Sequence, residues 1–146
     1  MYQTILVLHS INRYLVLISL VYCIIMAWNG VRGNKVFSST DNTFRHLTAT
    51  IAHIQLMLGL YLYIISPVIR YNVFEEYTFF RYLHIALMVI AIIIITIGSA
   101  KAKRMETDKL KFMTILLWFS LALLIILIAI PWPFSPLAHR PYFRSF

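Results

Sequence analysis

The sequence is poor in charge and poorest in acid: of 146 residues only 12% are charged, and just five are Asp or Glu. Soluble domains usually carry about 25% charged residues, so a water-soluble fold is excluded. The five acids, Asp41, Glu75, Glu76, Glu106 and Asp108, all lie outside the long apolar runs. Hydrolysis therefore lacks a carboxylate within any helix, and a transporter using His9, Arg13 and His84 as an ion path lacks an acid to compensate a cation. The single cysteine, Cys23, excludes an internal disulfide, an all-cysteine metal site and a cysteine-linked iron–sulfur centre. There is no activated serine or cysteine constellation and no glycine-rich phosphate loop, so nucleotide chemistry lacks its residues too.

What is present is apolar, with 61% of the residues hydrophobic. Four runs are each long enough for a helical crossing, which needs about 20 residues: roughly 4–28, 44–66, 79–100 and 112–130. None shows period-two alternation, which excludes a barrel and leaves helices as the structure that satisfies backbone hydrogen bonds in lipid. The first run lacks a basic leading segment and a small-x-small cleavage pattern, so it reads as a retained helix. It stops at Asn29-Gly30, and the second begins after the capping residues Ser38 to Thr43 and closes at Pro67. Short connections predict an all-α, antiparallel four-helix transmembrane bundle forming one domain, with a tail from 131 to 146.

The net charge of +8 follows from topology. Arg32, Lys35, Arg45, Lys101, Lys103, Arg104, Lys109 and Lys111 fall on one side, against Arg70, Arg81, Arg140 and Arg144 on the other. By the positive-inside rule the first set is cytoplasmic, so both termini are expected on the periplasmic side of a bacterial inner membrane, together with Glu75 and Glu76. No nucleic-acid partner is expected.

Ionisable groups inside a bilayer are expensive and usually face the bundle interior. His9, Asn12 and Arg13 share one face of the first helix, and Arg81 and His84 lie three apart on the third. The second carries His46 and His53 on one face, with Gln55 turned away from them. At 1.5 Å per residue, His9 and His84 both lie roughly 10 Å below the outer boundary, and His53 roughly 20 Å. Two histidines level on non-adjacent helices are placed to hold one flat haem, with Arg13 and Arg81 offering donors to its propionates. Set against this, a membrane histidine is often only an interhelical contact, and arginines near helix ends can snorkel to the headgroups. His46 and His139 read as interface and tail residues, and Met88, Met105 and the tyrosines as packing and interface belt.

With LHSINRY in the first helix, AHIQLMLGLYLYIISP in the second, RYLHIAL in the third and IPWPF at the close of the fourth, the chain resembles the small four-helix cytochrome b-like integral membrane proteins of Bacteroidetes-type bacteria. The resemblance covers nearly the whole chain and matches at His9, Arg13, His53, Gln55, Gly59, Pro67, His84 and Pro131. It implies an inner-membrane protein with b-type haem, and it makes His53 a rival ligand to His9 or His84. His46 has no counterpart in the pattern. The expected function is electron transfer through one haem b near the outer face, with quinone as a candidate redox partner and other membrane subunits as neighbours. The alternative is a haem-free accessory subunit of a larger membrane complex.

Overall fold

The computed structural model describes residues 1–71 and 78–134. These form α1 (Tyr2–Arg32), α2 (Ser39–Ile65), a short α3 (Pro67–Tyr71), a π-helical turn (Phe79–His84) that runs directly into α4 (Ile85–Arg104), and α5 (Asp108–Ala129). There is no strand among the described residues. Four helical stretches are long and apolar enough to cross a membrane. Glu75, Glu76, His139, Arg140 and Arg144 lie outside the described residues.

Capping chemistry, rather than hydropathy, sets where these helices start. α2 begins five residues before its apolar run because Ser38 and Asp41 close a capping box: Asp41 N–H donates to Ser38 Oγ at 3.2 Å, and Ser38 N–H to Asp41 Oδ2 at 2.8 Å. The Thr107 hydroxyl caps α5 in the same manner by accepting from Leu110 N–H at 3.3 Å. Pro67 ends α2 and opens α3, since it lacks the N–H that would continue α2 but suits a first helical turn.

α1 packs against α2 and α5, while α4 packs against α5 and α2, so that α1 and α4 face each other across the diagonal of an antiparallel bundle. Small residues set the approach distances, as expected between helices in lipid. A Cβ at Gly98 of α4 would collide with the Trp118 side chain of α5, and one at Gly30 of α1 with the Phe112 ring. Leu20, Ile95, Phe112, Ile115 and Phe119 are fully buried at the centre. Large side chains such as Ile18, Met57, Ile64, Ile93, Leu117 and Leu124 are exposed around the outside, the arrangement suited to a bilayer as solvent.

The bundle has two unlike ends. At one, the finishes of α1 and α4 meet the starts of α2 and α5, gathering Arg32, Lys35, Lys101, Lys103, Arg104, Lys109 and Lys111. Here the buried Arg45 ties α2 to α4, donating to the Ser99 carbonyl at 2.8 Å, to the Ser99 hydroxyl, and to Asn42 Oδ1 at 2.8 Å. At the other end α1 and α4 begin and α5 finishes, and the bundle opens into a cavity.

Candidate functional site

The cavity has a volume of about 410 Å³ and lies between the first turns of α1, the last turns of α2, the π turn and the end of α5. That volume falls within the range of about 300–1,000 Å³ typical of ligand sites. Leu6, Leu56, Met88, Ile126 and other apolar side chains make up most of its wall, into which His9, Arg13, Gln55 and His84 project. His9 and His84 reach it from the two diagonal helices, and each is half-buried.

His84 owes its orientation to prolines just past the end of α5. A carbonyl near the end of a helix accepts from the N–H four residues on. In Pro131-Trp132-Pro133 the prolines remove that donor from Leu127 and from Ala129. The Trp132 indole N–H replaces the first, donating to the Leu127 carbonyl at 2.9 Å, and the His84 Nδ1–H replaces the second, donating to the Ala129 carbonyl at 2.7 Å. With its proton on Nδ1, His84 keeps the lone pair on Nε2. A metal-ligating histidine is commonly held this way, its other ring nitrogen donating to a backbone carbonyl.

On the opposite wall a chain of amide hydrogen bonds reaches His9. Asn12 Nδ2 donates to the Ile51 carbonyl at 3.2 Å and to Gln55 Oε1 at 2.9 Å. Gln55 Nε2 in turn donates to the His9 carbonyl at 3.0 Å and lies 3.3 Å from His9 Nε2. His9 Nδ1 is buried and finds no hydrogen-bond partner among the described residues. Close approach of α1 to α2 is possible here because position 59 is glycine: an ideal Cβ there would sit 3.2 Å from His9 Cε1. Arg13, one turn further along α1, donates from Nη2 to the Tyr14 hydroxyl at 3.0 Å, and its guanidinium lies 4.8 Å from the Tyr14 ring centre and 6.0 Å from that of Trp132.

Two of the residues expected at the site stand elsewhere. Arg81 does not line the cavity; its guanidinium lies 5.7 Å from the Tyr82 ring centre. The expectation that it would share a face with His84 assumed an α-helical turn, whereas the wider π turn over Phe79–His84 spreads residues three apart further around the axis. His53 also lies outside. It is exposed on the other side of α2, with Nδ1 donating to the Ala49 carbonyl at 2.6 Å and Nε2 lying 3.1 Å from Thr96 Oγ1. His46 is exposed near the basic end of α2.

Sequence reasoning did not give Asn12, Gln55, Ala129 and Pro133 their parts at the site. The prolines did carry a readable signal: a proline four residues after a helical residue strands a carbonyl. The amide chain had none, because it depends on how α1 and α2 face each other.

The donor set bears on what the cavity holds. Among the described residues no group of three or more His, Cys, Asp or Glu side chains gathers as a bare ion would require. The His84 imidazole in an apolar cavity, with the Arg13 guanidinium on the wall, has instead the chemistry to ligate a metal already chelated by a flat macrocycle that carries carboxylates. No family model, curated protein or solved structure matches the chain.

Proposed function

We propose that the chain is a cytochrome b-like electron-transfer protein of the bacterial inner membrane, carrying one haem b in the cavity between His84 and His9. One observation supports this above the rest: His84, held by the Ala129 carbonyl, is left with its lone pair on Nε2 in the wall of an apolar cavity that His9 of the diagonal helix also lines. When bound, the haem supplies a one-electron couple. The chain's own residues hold, orient and shield it. His84 Nε2 would ligate the iron, the Arg13 guanidinium would attract a propionate carboxylate, and the apolar wall would exclude water and favour the uncharged macrocycle.

Charge bias orients the protein with the basic end in the cytoplasm, so the cavity and both termini belong to the periplasmic half of the bilayer. A haem in one half of the membrane does not carry an electron across it. Further membrane subunits, or a quinone in the lipid, complete the path, and the apolar outer surface of the bundle offers helices a place to pack.

Protein purified in mild detergent and treated with alkaline pyridine should show the haem b spectrum at about one haem per chain. Absence of that spectrum after expression with adequate haem supply would overturn the reading in favour of a haem-free accessory subunit.

A further inference from the structure

The basic end of the bundle carries a second cleft, of about 290 Å³, between the start of α2, the end of α4 and the first turn of α5. Phe37, Ser38, Ser39, Asn42, Lys103 and Lys111 line it. Two lysines from different helices, two serines and an asparagine thus share one wall, and no acidic residue is among them. The nearby acids are engaged elsewhere or only weakly. Asp41 turns its Oδ2 to Ser38, accepting from the N–H at 2.8 Å and from the hydroxyl at 2.7 Å. Asp108 lies 3.4 Å from Lys111 Nζ in a partly exposed ion pair, which holds a lysine loosely. Lys103 forms no ion pair among the described residues.

Asn42 also ties the cleft to a buried cation. Arg45 is buried, and every oxygen to which it donates is neutral: the Ser99 carbonyl and hydroxyl, and Asn42 Oδ1 at 2.8 and 3.2 Å. A buried charge balanced only by dipoles is costly, and an anion close by lowers that cost. Because a guanidinium only donates, Asn42 must give it the amide oxygen, and the NH2 group is the end left over for another acceptor.

We propose that this cleft binds the phosphate of an anionic phospholipid, with Lys103 and Lys111 as its paired cations. The donors suit any phosphate, but the position suits a lipid. Three crossings begin or end here, at headgroup height. Phe37 in the wall and the exposed Val36, Leu110 and Met113, close to the lining residues in sequence, supply apolar surface that glycerol and acyl chains cover and a free ion does not. The site is independent of the haem.

The test is titration of the full chain in neutral detergent, read by native mass spectrometry, with phosphatidylglycerol, phosphatidylcholine and inorganic phosphate as probes. Phosphatidylglycerol should be retained at one site per chain in preference to phosphatidylcholine, and inorganic phosphate should not displace it. Lys103→Gln with Lys111→Gln should weaken its binding about thirtyfold, at about fivefold per cation, whereas Lys103→Arg with Lys111→Arg should retain it. Lys35→Gln with Lys109→Gln removes the same charge from the same end but outside the cleft, and should have a much smaller effect. Circular dichroism should show equal helicity throughout. Equal losses in the two glutamine pairs would mean a diffuse basic surface and overturn the proposal. Equal retention of the two lipids, or displacement by inorganic phosphate, would overturn it as well.

Discussion

His84 Nδ1 and the Ala129 carbonyl are 2.7 Å apart, a hydrogen bond that joins the start of α4 to the end of α5 and uses an acceptor that Pro133 has left without its helical donor. Fold and site meet at this bond. The same proline motif that stops the fourth crossing also holds the candidate iron ligand, so the end of α5 cannot be changed without consequence for the cavity.

Gly59 is the point where α2 makes room for His9. Gly59→Ala would place a Cβ 3.2 Å from His9 Cε1. The ring must then give way by a few tenths of an ångström at a cost of about 1 kcal/mol. The expected outcome is an intact helical circular dichroism spectrum, a slightly lower melting temperature in detergent and a shifted Soret band. A variant identical to the parent in both melting and absorbance would show that His9 has more space than the packing indicates.

Gly98 tests the bundle away from the site. A Cβ there would strike Trp118, and because both residues lie on packed helices neither can swing aside freely. Gly98→Ala should destabilise the protein by about 1–3 kcal/mol through overpacking. Haem content per folded chain should be unchanged, as measured by thermal melting beside pyridine haemochromogen analysis. Equal stability would refute the close approach of α4 to α5.

Much of the architecture was legible in the sequence because lipid imposes so strict a pattern: the runs around Leu20, Leu56, Ile92 and Phe119 were each long enough to cross, and no other structure satisfies their backbone. Helix starts were less legible, since Ser38 and Thr107 act by capping beyond the apolar boundary. Depth and spacing singled out His9, Arg13 and His84, which the fold brings to one cavity. Arg81 was expected beside His84 on α-helical spacing, and the π turn over Phe79–His84 that changes this spacing leaves no mark in the sequence. The roles of Asn12 and Gln55 were hidden for another reason: a hydrogen-bond chain between two helices depends on their mutual rotation, which depends in turn on small contacts such as Gly59 against His9.

Orientation rests on loop charge. A reporter active only in the cytoplasm should give no signal when fused after Phe146, and a strong signal when inserted in the basic connection near Lys35. The reverse pattern would place the cavity in the cytoplasmic half and invert the proposed topology.

The proposed association with other subunits would use the apolar surface that the four crossings turn outward, in competition with lipid. Native gel analysis after mild-detergent extraction from its own membrane should show the protein well above the mass of its monomer or dimer, with foreign subunits in the same band. An isolated monomer with full electron-transfer activity would mark a self-sufficient cytochrome.

The most direct measurement is the absorbance of His84→Ala beside His46→Ala and His53→Ala, all purified in the same detergent and checked for equal helicity. Of these three histidines only His84 lines the cavity, whereas His46 is exposed near the basic end of α2 and His53 is already engaged at both ring nitrogens. His84→Ala should lose the Soret band while the other two variants keep it at the parent's intensity. A band that survives His84→Ala unchanged, or one that disappears with His53→Ala instead, would contradict it.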